Sequence, residues 1–253
     1  VTTMADLLAA ELRREPGRPF LTWYDETTGE RVELSVTTYA NWVAKTASLL
    51  VEEHELEKGD TLLVDLPAHW LGPVFLGAAW SAGLVVAFPA TEPFPGAAAP
   101  SPAAVVCGPA GLDRWAPLAD ELPVLACSLL PMGVRFAEPL PAGVHDVGVE
   151  VWGQPDAFTA WDPPSGDDAA LVLDDGSVTQ DELWSPWSTA TAGRSSSTGG
   201  DRLLTVANPA SPPGVATFVE PLVTGGSLVL VSGAEQPRLD AVAQAERTVR
   251  RVG

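Results

Sequence analysis

Lysine is almost missing: the 253 residues include two, Lys45 and Lys58. Chemistry that needs a lysine to grip phosphate or to react covalently has hardly a candidate residue. Cations as a whole are few, 14 Lys and Arg against 33 Asp and Glu, a formal net charge of −19. Such a chain repels nucleic acid and anionic lipid, so neither a nucleic-acid nor a membrane partner is expected. Cysteine is as scarce. Cys107 and Cys127 stand in apolar stretches and read as two buried, reduced thiols rather than a disulfide framework. No CxxC and no zinc-type Cys/His spacing occurs, and His54, His69 and His145 are scattered along the chain, so no metal ligand is assigned. No apolar run reaches the roughly 18–20 residues of a membrane span. The first residues lack the charged-then-apolar pattern of a secretory signal. A cytoplasmic, soluble protein is the expectation.

What is present is globular. The chain is 46% hydrophobic, and its 23 Gly and 24 Pro fall below the roughly 25–30% that marks low complexity. A chain of this length buries roughly 70–75% of its extended surface and needs no disulfide or metal to hold a core. No G-x-S-x-G elbow is found, which argues against an α/β-hydrolase, and no G-x-G-x-x-G follows a strand.

Periodicity sets out the elements. Thr3 and Asp6 have capping-box spacing, Leu7, Leu8 and Leu12 share a helical face, and Pro16-Gly17 stops the helix. Phe20–Tyr24 and Arg31–Leu34 read as a hairpin around the turn Asp25–Gly29. Val36 to Val51 has helical spacing, and Glu52-Glu53-His54-Glu55 reads as its solvated end. Strands are expected at 61–66, 84–88, 103–107, 123–127, 148–152, 169–173, 203–206 and 227–231. Helices are expected around 70–79, 112–118, 179–192, 214–222 and 239–249, with Arg247, Arg250 and Arg251 at the negative end of the last. Continuous apolar strands alternating with helices indicate parallel sheets covered on both faces. Trp152, Trp161, Trp184 and Trp187 crowd the second half, where they read as aromatic packing of irregular structure, with an aromatic patch for a partner or an acyl ligand as the alternative.

Several segments, in order, resemble one family. Arg18-Pro19-Phe20, the hairpin, the Val36 helix and Lys58-Gly59-Asp60-Thr61-Leu62-Leu63-Val64 are similar to the opening of the AMP-forming acyl-CoA synthetases. This adenylate-forming superfamily also holds peptide-synthetase adenylation domains and luciferases. Gly77–Pro89 resembles its A-x-x-K-A-G-A-V-x-x-P segment. Asp201–Leu204 and Glu220–Val231, with Gly225-Gly226, are similar to its D-x-x-L and P-L-x-x-G-G-T-V-V-L segments. The resemblance covers most of the chain and corresponds to roughly the first half of the family's enzymes, ahead of their adenine-binding half and catalytic lysine. It implies an α/β fold of two lobes, mixed or parallel sheets with flanking helices. The expected lobes are 1–55 with 166–253, discontinuous, and an inserted 56–165.

The family's reaction joins a carboxylate to ATP and then to a thiol. Its phosphate loop, T-S-G-T-T-G-x-P-K-G, follows a strand. Here the matching strand, Ala169–Leu173, runs into Asp174-Asp175-Gly176-Ser177-Val178-Thr179-Gln180-Asp181-Glu182. Gly176, Ser177 and Thr179 echo the loop, but the lysine is absent and four carboxylates stand there. Unit charges about 4 Å apart interact by roughly 4 kcal/mol at an effective dielectric of 20, so an Asp in place of a Lys moves phosphate affinity several kcal/mol the wrong way. A solvated acidic turn is the plainer reading. Arg194–Gly200 reads as a surface loop. After the strand near Leu204, where relatives place acyl-pocket residues, stand Asn208 and Ser211, which turn chemistry explains equally well.

The expectation is a non-catalytic relative acting as a binding or interaction module, with no catalytic residue, no metal and no cofactor, ATP and AMP binding being lost or weak. Its partner would be a protein or a small acyl or carboxylate ligand. The alternatives are a split ligase completed by another chain and a small carboxylate binder. Any surviving site is placed at the lobe junction, at Asp174, Asp175, Ser177, Asn208 and Ser211.

Overall fold

A computed structural model describes residues 2–89, 101–173, 176–185 and 200–252. The first helix, α1 (Met4–Arg14), opens with the reciprocal box: the Thr3 hydroxyl accepts from the Asp6 N–H at 3.2 Å, and the Asp6 carboxylate accepts from the Thr3 N–H at 3.1 Å. The hairpin β1 (Pro19–Asp25) and β2 (Glu30–Ser35) is pinned at its turn by Asp25, whose carboxylate accepts from the Thr27 amide and from the Thr27 and Thr28 hydroxyls. Ser35 caps α2 (Val36–Ser48), which continues into a π-helical turn, Leu49–Glu53. There follow β3 (Thr61–Asp65), α3 (Leu71–Ala82), β4 (Val85–Ala87), β5 (Ala104–Cys107), α4 (Leu112–Trp115), β6 (Val124–Ala126), β7 (Val144–Asp146), α5 (Val147–Glu150), β8 (Ala169–Leu173), β9 (Gly176–Thr179) and α6 (Gln180–Trp184). The last third holds β10 (Arg202–Thr205), α7 (Val215–Thr224), β11 (Ser227–Ser232), α8 (Gln236–Ala245) and β12 (Arg250–Val252).

The architecture is α/β, with two mostly parallel sheets and flanking helices. The smaller has the order β12-β10-β11-β1-β2, and the larger β7-β6-β5-β3-β4-β8-β9. Each is parallel apart from one antiparallel edge strand, β2 in the first and β9 in the second. Sheet membership changes after β9, whereas the expected lobe boundary at 166 precedes β8.

One core joins the sheets. Helix α3 is apolar all round and almost wholly buried, as a helix between layers must be. Its Trp80 stacks on Phe218 of α7 (centroids 6.2 Å apart, planes 14° apart), meets Trp184 of α6 edge-on at 5.3 Å, and donates Nε1–H to the Ala170 carbonyl of β8 at 2.8 Å. Gly77 permits the close approach of α2: a Cβ there would lie 2.3 Å from the Tyr39 hydroxyl. The Gly225-Gly226 pair also has a reason. Gly225 ends α7 in the left-handed region (φ 69°), and a Cβ on Gly226 would meet the Asp201 carbonyl oxygen at 2.4 Å. Arg14 and Arg18 donate to the carbonyls of these two glycines, tying α1 to the end of α7.

The structure corrects four expectations. Residues 148–152 are not a strand but α5 and a 3₁₀ turn, Val151–Gly153. Asp146 accepts from the Gly148 N–H at 2.9 Å, and this cap overrides the β-branched composition. The expected helix 239–249 starts earlier and ends at Ala245. Arg247 turns the chain with φ 52°, and β12 pairs with β10. Arg250 and Arg251 accordingly pair with Glu220 and Asp240 instead of crowning a helix end. The run 52–55 is not wholly solvated, because the His54 imidazole is buried. The acidic segment after β8 is not merely a turn, since 176–179 forms β9. Residues 186–192 of the expected helix 179–192, and Trp187, lie outside the described residues, as do 194–199 of the Arg194–Gly200 loop. Trp184 is buried, whereas Trp161 is 91% exposed and Trp152 is half-exposed against Trp42.

Candidate functional site

In open parallel sheets ligands gather outside the carboxyl ends of the strands. Here those ends meet where the segment after β3 (66–70) faces the turn after β10 (206–214). Asn208 is the link: its Nδ2 donates to the Leu66 carbonyl at 2.8 Å, and its Oδ1 accepts from the Ala210 N–H at 3.0 Å. Ser211 donates its hydroxyl to the Asn208 carbonyl at 2.7 Å. Trp23 of β1 and Ser232 of β11 both donate to the Ala68 carbonyl, at 3.0 and 2.5 Å. Asn208 and Ser211 are thus brought together at the junction of the sheets, and their polar atoms are engaged with backbone.

The same junction holds a residue that sequence reading passed over. His69 is 2% exposed, and its Nδ1 accepts from the Leu71 N–H at 3.2 Å. That acceptor role leaves the hydrogen on Nε2, which has no protein partner among the described residues; nor does Trp70 Nε1. Burial pushes the His69 pKa down to about 4, so the ring is neutral. It sits edge-on to Trp23, with centroids 4.3 Å apart. A lone histidine between apolar residues carries no motif, and only the fold reveals what surrounds it.

Ser177 stands elsewhere. It is exposed on the edge strand β9, opposite Val172 of β8, and no described hydrogen bond joins it to Asn208 or Ser211. Asp174 and Asp175 lie outside the described residues. After β9, Thr179 and Glu182 form a reciprocal cap that starts α6. No Lys or Arg occurs from 166 to 185. The two lysines are engaged with carboxylates: Lys45 with Asp156 at 3.1 Å, and Lys58 with Asp168 at 3.0 Å and Asp162 at 3.4 Å. The Lys58 pKa is raised, chiefly by its hydrogen bond to Asp168.

A second polar constellation forms at the end of α2. His54, 96 residues before Glu150, joins His145 and Glu150, and the three place their nitrogen and oxygen atoms within 4.8 Å of one another. Burial, and then the neighbouring His145, lower the His54 pKa. Spacing gave no hint of this group, because its members come from three different elements.

The fold defines a class. The chain superposes on an acyl-CoA synthetase from Brucella canis with a TM-score of 0.75, at 17% identity, over 97% of this chain and 46% of that one. A benzoate CoA ligase from Burkholderia xenovorans gives 0.71 at 14% identity over 96% and 48%. The N-terminal domain of FACL13 from Mycobacterium tuberculosis gives 0.69 at 15% identity over 99% and 62%. The protein therefore has the fold of the N-terminal part of acyl-CoA synthetases, and it spans about half the length of the full enzymes it matches. No protein-family model matches the sequence. A Mycobacterium tuberculosis protein described as a TIGR03089 family protein is 32% identical over 250 residues, 98% of this chain and 97% of that protein. The chain belongs to the TIGR03089 family.

Proposed function

We propose that this protein is a non-catalytic relative of the AMP-forming acyl-CoA synthetases and acts as a binding or interaction module. The observation supporting this reading is the chemistry after β8. Where a phosphate cradle needs backbone amides and a cation, this chain has β9, a short helix and no basic residue from 166 to 185. The amides of β9 are spent partly on its pairing with β8, and the first turn of α6 is capped by Thr179 and carries Asp181 and Glu182. An anion approaching that helix end meets carboxylates instead of free N–H groups. The described residues after β8 do not fit a triphosphate.

The test is calorimetric titration of the full protein with ATP and Mg²⁺, beside a pyrophosphate-exchange assay with a panel of organic acids. No micromolar binding and no exchange are expected; either signal overturns the reading. A second reading, a small carboxylate or acyl ligand at the sheet junction, is favoured by one observation: the buried His69 and Trp70 N–H donors have no protein acceptor among the described residues. A rise in Tm with a carboxylic acid, lost in His69→Phe, would support it.

A further inference from the structure

At the outer end of α2 three donor side chains converge from separate elements. His54 follows the π-helical turn, and its N–H closes the wide i→i+5 ring on the Leu49 carbonyl at 3.2 Å. Such turns shift the residues beyond them relative to a regular helix and recur at functional sites. Here the turn ends with the His54 imidazole directed inward, 5% exposed. His145 is the middle residue of β7, and Glu150 ends α5. Asp146, between them, fixes both by accepting from the Gly148 N–H and the Phe136 N–H, each at 2.9 Å. Gly148 packs so closely that a Cβ would lie 2.4 Å from the Val134 carbonyl carbon. The platform carrying His145 and Glu150 is thus held by the Asp146 carboxylate and by close backbone packing at Gly148.

His54 Nε2 lies 3.1 Å from one Glu150 oxygen, and His145 Nδ1 lies 3.0 Å from the other. The two imidazole rings are 4.5 Å apart at 79°. We propose that His54, His145 and Glu150 form a binding site for a divalent late first-row metal ion, with zinc as the reference ion. Two neutral imidazoles and one carboxylate are a donor set that zinc takes, with water in the fourth position. Bonds of about 2.0–2.1 Å in a tetrahedron set ligand atoms about 3.3 Å apart. The donor atoms all lie within 4.8 Å of one another, so binding an ion requires them to draw together by up to about 1.5 Å. His145 and Glu150 are 39% and 30% exposed, which leaves a solvent side for entry and for the water. Glu53, held by Gln154 Nε2 at 3.2 Å, adds negative charge beside His54, and the net charge of −19 favours any dication. The ion ties the end of α2 to the β7–α5 segment, so it stabilises the folded chain.

The full protein, stripped with a chelator and dialysed, is titrated with zinc chloride in the calorimeter, and its Tm is read with and without zinc. One zinc per chain with micromolar or tighter affinity is expected, together with a rise in Tm. His145→Gln, a half-exposed change whose folding is checked by circular dichroism, weakens binding on the order of 100-fold and abolishes the Tm rise. Glu150→Gln does the same and serves if the first variant fails to fold. Cobalt(II) in the same site gives the visible absorption of a four-coordinate centre, absent from both variants. The proposal is overturned if no stoichiometric zinc binds, the three groups then being a hydrogen-bonded clasp alone. It is equally overturned if zinc binds the two variants as tightly as the wild type.

Discussion

At the sheet junction the polar side chains are consumed by backbone. Asn208 bonds Leu66 and Ala210, Ser211 bonds Asn208, and Trp23 and Ser232 share the Ala68 carbonyl. At the outer end of α2, His54, His145 and Glu150 satisfy one another, with one side turned to solvent. Asn208 and Ser211 lie at the sheet junction with their polar atoms bonded to backbone. The outer group gives no signal along the chain because His54 lies 96 residues before Glu150, yet it is where donors converge. A polar residue becomes available to a ligand only when the backbone has not already claimed it.

Both regions hang on one core, and Trp80→Ala tests this most severely. Loss of a fully buried indole that touches α6, α7 and β8 costs about 4 kcal/mol. Urea unfolding followed by circular dichroism reads it, and a loss below about 1 kcal/mol would mean that the layers do not share that core. Next comes acid. The folded pKa of His69, about 4, lies below an unfolded value of about 6.5, so the unfolded chain binds more protons between these limits. The His69 contribution, on the order of 3 kcal/mol, is complete above pH 6.5 and is lost as pH falls toward 4. His69→Phe should flatten the stability profile in that window; an unchanged slope would show that the ring is not held neutral.

Smaller effects sharpen the contrast between junction and edge. Asn208→Ala leaves the Leu66 carbonyl and the Ala210 N–H without their partner and should cost about 2 kcal/mol. Ser177→Ala on the exposed edge of β9 should change stability by less than about 0.5 kcal/mol. Equal losses at the two positions would erase the distinction drawn between them.

Much of the fold was legible because its signals are local. The Thr3–Asp6 box, the Asp25–Gly29 turn and the apolar runs of β3, β5, β8 and β11 each announce themselves within a few residues. The misread segments are those where a cap or a distant partner prevailed over composition. Asp146 turned 147–150 into helix, and pairing with β10 turned 250–252 into strand. The candidate site was less legible. Asn208 and Ser211 are neighbours in the turn after β10, Ser177 stands apart on the edge strand β9, and His69 gave no signal.

The order of amino acids on its own determined the class of fold, the acidity and the want of a cation after β8, because periodicity, charge count and residue type need no neighbours beyond the local chain. Tertiary structure alone decided which polar groups are spent and which converge. Burial and contact between His54, His145 and Glu150 arise only when α2, β7 and α5 pack together, and no spacing along the chain encodes that meeting.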